Sequence, residues 1–306
     1  MTAIDINRGT SNVLLPAEVS SEIWGKVLEE SAFMQLARRI SMPGAGVDVQ
    51  TITGEPVADW VAETAAKPVS THTFNKKSIR PYKLAVIEPF SNEFKRDKAA
   101  LYAECVRRLP FALAKKFDST IIGTSAPGSG FDVLGNCEKV SLNPGAGETV
   151  YGQFIKVDSK IAAADGIMNG IALAPQGKSK VLAAVDGQGR PLFTPGVGSN
   201  TVGDILGAQT YVKKGVYKAA AGEAAAIVGI AGDFNDAVFG TVEGIQMAIS
   251  DQATLTLADS STLSLFQNNM FAVRFEIEVA FAVKNAAEFV LLTGDTAASS
   301  SGVVGA

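Results

Sequence analysis

The sequence has 306 residues, 47% apolar and 19% charged, with 27 basic against 31 acidic side chains and a formal net charge of −4. That balance excludes a disordered, solvating polymer and lacks the basic excess of a dedicated nucleic-acid groove, while the length suggests about two domains. No apolar run reaches the roughly 18 residues of a membrane span, and the opening MTAIDINRGT has no signal-peptide-like apolar stretch.

The first element is a short amphipathic helix from about 16 to 30. Pro16 suits a first helical position, and Val19, Ile23, Trp24, Val27 and Leu28 form one stripe opposite Glu18, Ser21, Glu22, Lys26 and Glu29. An arm this short cannot form a core of its own. Its stripe packs either on its own domain or on a neighbouring subunit.

Residues 43–92 read as a long, exposed two-stranded hairpin, rich in Val, Ile and Thr, with its tip between Trp60 and Pro68. Prolines at 56, 68, 81 and 89 suit edge strands rather than central ones. Asp48, Glu55, Asp59 and Glu63 lie on the first half, and Lys67, Lys76, Lys77, Arg80 and Lys83 on the second. Cross-strand pairing accounts for that division at a few tenths of a kcal/mol per pair. An isolated hairpin is marginal in water, so this one needs a surface to lie on.

Residues 93–122 form a long helix. Leu101, Cys105, Leu109, Leu113, Phe117 and Ile121 recur every fourth residue, and Arg107, Arg108, Lys115 and Lys116 sit off that stripe. Pro110 removes one backbone bond inside it, and GTSAPGSG at 123–130 ends it. From 146 to 239 helices and strands alternate. A helix over 148–165 stops at Gly166, a second covers 177–185, and IALA (171–174) and AIVGI (226–230) read as strands. FAVRFEIEVAFAV at 271–283 alternates without a break and predicts a long strand with one buried face. It spans about 43 Å, and the 93–122 helix, at about 45 Å, is its natural partner. The Ser/Gly/Ala-rich stretch 294–306 reads as a tether or frayed end.

Motifs for chemistry fail one by one. The lone histidine, His72, lies in the threonine-rich THTFNKK and reads as a solvated strand residue, which removes multi-histidine metal sites. Cys105 and Cys137 read as reduced, buried thiols. Gly177-Lys178-Ser179 lacks the preceding P-loop glycine, since Ala172 stands there. Gly187/Gly189 and Gly196/Gly198 lack the third glycine of a dinucleotide fingerprint. Pro127 breaks the esterase elbow after Ser125-Ala126. No catalytic residue, cofactor or metal is expected.

An amphipathic arm, a hairpin, a long helix, an α/β unit and a long closing strand occur in a recognisable order. LPAEVSSEIWGKVLEESAFMQLARRISMPG (15–44), ADWVAETAAKPVSTHTFNKKSIRPYKLAVIEPFSNEF (58–94), GRPLF (189–193), AGDFNDAVFG (231–240) and FAVRFEIEVAFAVKNAAEFVLL (271–292) together resemble the major capsid proteins of tailed bacteriophages. That family shares the Hong Kong ninety-seven shell fold. The resemblance implies an α+β fold divided into an N-terminal arm (1–42), an extended hairpin loop (43–92), a peripheral domain with a spine helix (93–145), an α/β axial domain (146–239), a peripheral return with a long strand (240–294) and a tail (295–306).

It also implies a structural, non-enzymatic role. Copies would form hexamers and pentamers that close into an icosahedral head around double-stranded DNA, held non-specifically, with a portal and separate scaffolding or decoration proteins as further partners. The chain would be made in the bacterial host cytoplasm and end in the virion. Hairpin and arm would lie on neighbouring subunits, with Trp60, Glu63 and Lys67 near the tip as candidate inter-subunit contacts. Many relatives carry a scaffolding extension that is removed on maturation. Here the arm begins directly after Met1; if the chain is the full gene product, scaffolding is expected from a separate protein or not at all, whereas for a mature fragment Met1 would be an odd cleavage product. Some relatives cross-link lysine to asparagine; Lys67, Lys76 and Lys77 lie in the right unit, but no asparagine or carboxylate matches by motif, and that chemistry is not carried over. An encapsulin-like compartment around a cargo enzyme is the alternative with the same fold. A soluble enzyme is the alternative outside it.

Overall fold

A computed structural model of the chain describes residues 17–53, 58–61, 67, 69, 73–93, 98–145, 147–185, 190–193, 203–242, 246–257 and 259–296. Pro16, Glu63, His72 and the Cys105 side chain lie outside the described residues. In chain order the elements are α1 (Ala17–Glu30), α2 (Ala32–Leu36), β1 (Arg38–Ser41), β2 (Val47–Thr53), β3 (Thr73–Ile79), β4 (Tyr82–Ser91) and α3 (Lys98–Ile121). β5 (Glu138–Ser141), α4 (Val150–Ala163), β6 (Gly170–Leu173), α5 (Pro175–Leu182), β7 (Gln209–Val212) and β8 (Ile227–Gly232) follow. The chain closes with β9 (Ala237–Thr241), β10 (Gln246–Ser250), β11 (Thr254–Thr256), β12 (Thr262–Ser264), β13 (Met270–Val283) and β14 (Phe289–Thr293).

The alternating segment is β13, and it organises the first sheet. β4 runs antiparallel along one edge, from Ser91↔Met270 to Tyr82↔Val279. β10 and β9 run antiparallel in tandem along the other edge, and β1 joins β9 in parallel. Phe271, Val273, Phe275, Ile277, Val279, Phe281 and Val283 are all buried, in one core with Leu109, Leu113, Phe117 and Ile121 of α3. Phe281 meets Phe117 and Phe33 edge-on, at centroid distances of 6.3 and 5.7 Å.

The face opposite the phenylalanines is open only in the middle of β13. Arg274 is exposed, but Ala272, Ala280 and Ala282 on the same face are buried, the last two beneath Met42 and Ile79. Small residues are needed there: a Cβ on Gly240, the partner of Ala280, would come within 2.3 Å of Met42 Sδ.

Two further expectations change. The hairpin is shorter than 43–92, because only β2 and β3 pair with each other, from Val47↔Ile79 to Thr53↔Thr73. β4 leaves it to form a strand of the β13 sheet, where Pro89 faces Ala272. The second sheet has the order β5-β14-β8-β6-β7, so it draws β5 and β14 from outside 146–239, while β9 serves the first sheet. α4 covers this sheet with Phe154, Val157 and Ile161. Thr149 caps its start, accepting from Gly152 N at 3.1 Å, and Asp165, one residue before the expected glycine stop, takes the left-handed backbone (φ 64°). The chain crosses between sheets at Asp233, whose carboxylate accepts from Asn169 Nδ2 (2.6 Å) and Ile167 N (3.1 Å). Cys137 is only half-buried; its Sγ–H donates to the Ala286 carbonyl at 3.2 Å, and burial pushes the thiol up to about 11.

The arm settles on its own subunit over its described part. Val27 is fully buried, and Trp24 and Leu28 pack against the α3–β13 core. One buried carboxyl fastens it. Asp118 on α3 accepts from Ser31 Oγ (2.5 Å) and from Ala32 N (3.0 Å) at the start of α2, and is itself fully buried. Desolvation outweighs those hydrogen bonds and raises its pKa to about 7. The folded state therefore binds this proton more tightly than the unfolded chain. The stability it lends is full below about pH 4 and is lost as pH rises through about 7. Denaturant midpoints between pH 5 and 7.5 should fall for the wild type and fall less for Asp118→Asn. Asp118→Ala strands the Ser31 hydroxyl and the Ala32 amide, and should cost about 2–6 kcal/mol at about 1–3 per buried orphan, read from the same denaturation curves.

Candidate functional site: assembly surfaces

The β2–β3 hairpin is fixed at its base. Asp48 on β2 pairs with Lys76 (2.9 Å) and with Arg80 (3.1 Å), the cross-strand pairing that the charge division suggested. The Ser78 hydroxyl and then the Lys76 ammonium hold the Asp48 carboxyl below its usual range. Lys77 reaches across to Asp132 at 2.6 Å and also donates to the Val283 carbonyl, while the other main-chain group of Val283, its N–H, donates to Asp132 at 2.8 Å. One carboxylate thus ties the hairpin to the end of β13.

The glycine-rich segment after α3 does more than end a helix. Arg80 N donates to the Gly130 carbonyl (3.0 Å) and Tyr82 OH to the Ser129 carbonyl (2.7 Å). Gly130 has φ +82°, and a Cβ on Gly128 would lie 2.3 Å from the Tyr82 hydroxyl. Neither Asp132 nor this cradle stood out in the sequence. The only signal was the density of glycines, which also fits a plain turn.

Beyond Thr53 and Thr73 the connecting segment carries exposed apolar side chains. Trp60 is 100% exposed and Val69 89%. Trp60 N donates to the Asp59 carboxylate at 2.8 Å, and Lys67 is exposed with no ion pair among the described residues. Of the three candidate contact residues, Trp60 and Lys67 are exposed on the hairpin connection with no contact between them among the described residues, and Glu63 lies outside those residues. A fully exposed indole leaves about 150–250 Å² of surface unburied, a liability for an isolated chain and an anchor for an assembled one.

A cavity of about 270 Å³ opens beside the hairpin base, lined by Ile40, Val49, Ile79, Val238 and Val283, with Arg38 among its polar members. Two of its other charged side chains are already engaged, Lys77 with Asp132 and Lys284 with Asp236 at 3.2 Å. It offers a seat for apolar groups rather than a place for chemistry. Among the described residues no cluster of His, Cys, Asp and Glu could hold a metal, and no helix is long and apolar enough to cross a membrane.

A sequence model of the phage capsid family matches residues 11–294. The chain belongs to the phage capsid family. Membership makes it a structural shell protein of a virion rather than an enzyme. Relatives from Mycobacterium phages D29 and L5 are each named "Probable major capsid protein gp17"; they are 29% and 30% identical, covering 91% of this chain and 89% of theirs. A solved structure from Mycobacterium phage Adephagia shares the fold, with TM-score 0.67 and 20% identity over 88% of this chain and 91% of that one. A Mycobacterium phage Cain structure matches with TM-score 0.67 and 22% identity over 88% and 92%. These capsid relatives lend no support to an encapsulin-like role.

The capsid subunit's hairpin should loosen when its base is cut. Asp132→Ala removes the acceptor of both Lys77 and Val283 N and should cost about 1–3 kcal/mol. Hydrogen exchange should then speed up at Val283 and through β3, and unchanged protection there would show that the carboxylate does not hold the hairpin.

Proposed function

We propose that the chain is the major capsid protein of a tailed bacteriophage, assembling as hexamers and pentamers into an icosahedral head around double-stranded DNA. The observation that carries this reading is the pairing of a rigid hairpin base with a wholly exposed indole at Trp60. A tip of that kind is built to be covered by another copy, and heterologous contacts of this sort close into rings. In this reading the first sheet with α3 is the peripheral domain and α3 its spine helix. The second sheet with α4 is the axial domain, and residues 1–42 are the arm. A portal protein and separate scaffolding or decoration proteins complete the head, and synthesis takes place in the host cytoplasm. Of the three lysines in the hairpin unit, Lys76 and Lys77 pair with Asp48 and Asp132, and Lys67 is exposed.

Negative-stain microscopy of the purified chain, alone and co-expressed with its neighbouring genes, should show shells or ring-shaped capsomers. Small monodisperse particles under both conditions would contradict the proposal. Trp60→Ala should leave the unfolding transition of the subunit within about 0.5 kcal/mol of wild type. It should weaken subunit association by about 2 kcal/mol or more per contact, some thirty-fold in sedimentation. Normal assembly by the variant would remove Trp60 from the interface.

A further inference from the structure

The lysines of this chain fall into two groups. Lys76, Lys83, Lys156, Lys160, Lys180 and Lys284 each pair with a carboxylate. Lys67, Lys115, Lys116, Lys139, Lys214 and Lys218 do not, among the described residues, and of these Lys115, Lys116 and Lys214 lie together. The 3-10 turn Lys214–Val216 presses onto α3, so closely that a Cβ on Gly215 would come within 3.1 Å of the Lys115 Cα. Lys214 Nζ sits over the Phe111 ring at 5.5 Å, and Phe111 is one turn before Lys115 on the same exposed side of the helix. Arg108, two turns before Lys115, faces Glu88 at 3.8 Å and is not part of this group.

Among the described residues, the carboxylates nearest this ridge are engaged elsewhere. Asp118 is buried beneath and spent on Ser31 and Ala32, and Glu30 faces Lys213 at 3.9 Å. The opposite face of the β13 sheet is different, for there Glu276 and Glu278 answer Arg274 and Lys83. Like charges held close together without counter-ions repel one another. A ridge that keeps them on the outer side of a long rigid helix suits a polyanion.

We infer that Lys115, Lys116 and Lys214, with Phe111 between them, form a phosphate-backbone contact ridge through which the subunit touches packaged double-stranded DNA. This rests on the capsid reading and adds to it that the α3 side of the subunit faces the shell interior. The net charge of −4 does not oppose it, because only this face needs to be positive. The contact is sequence-independent, since cations alone read no bases.

The test is fluorescence anisotropy of the unassembled full-length chain with a 30-base-pair duplex across a salt series. Lys115→Gln/Lys116→Gln/Lys214→Gln should lower affinity about ten-fold or more at low salt. It should also reduce the slope of log affinity against log salt by about 2–3, at about 0.9 per phosphate neutralised. A control with the same charge loss, Lys83→Gln/Lys156→Gln/Lys160→Gln, should leave the slope unchanged. Equal slopes for wild type and the ridge variant, an equal loss in the control, or no binding by wild type would each overturn the inference. Microscopy of the same samples separates it from the capsid reading. Shells from both chains with equal DNA slopes sink the ridge alone, and no shells from wild type sink the capsid reading itself.

Discussion

β13 is the strand on which the first sheet depends. β4, β9 and β10 each pair with it directly and β1 through β9, so no other strand touches so much of that sheet. Its bulky face packs on α3, and its small face, at Ala280 and Ala282, admits Met42 and Ile79. Its last residue then receives Lys77 and Asp132 from the hairpin and the glycine-rich loop. Core, arm and hairpin therefore share one rigid reference. The base of the hairpin is thereby held in a defined place on the core.

Much of this was legible because it is local. Unbroken alternation at 271–283 and apolar residues every fourth position along α3 each have one structural solution, and both elements lie where the pattern put them. The 150–163 helix and the strands around 171 and 228 were equally plain. Partnerships were harder. A period of two says that a strand has a buried face but not which strand lies beside it. β4 therefore seemed to continue the hairpin, although Pro89 already pointed to a strand at a sheet edge. β5 and β14 were assigned by position in the chain, whereas they pair in the second sheet across more than a hundred residues.

Trp60 and the Asp48 charge pairs at the hairpin base are legible in the sequence, and the ties made by Asp132 and Asp118 are not. Trp60 stands out in any reading of the hairpin, because a large aromatic in a polar connection has nothing of its own to cover it. Asp132 and Asp118 do not stand out. Each is one carboxylate among many until folding brings Lys77 or Ser31 to it. The charge on α3 lies between these cases. Lys115 and Lys116 fall on the polar side of the helical pattern, but only the packing of the Lys214 turn shows that they form a group with no carboxylate partner among the described residues.

The central claim is that a rigid subunit presents a hairpin to be covered by another copy of itself. The most direct measurement is a cryo-electron microscopy map of assembled particles at side-chain resolution. The account predicts β2 and β3 lying across a neighbouring subunit, with Trp60 buried against it and the Lys77–Asp132 clamp intact. A hairpin folded back on its own sheet, or Trp60 left in solvent within the assembled shell, would contradict it.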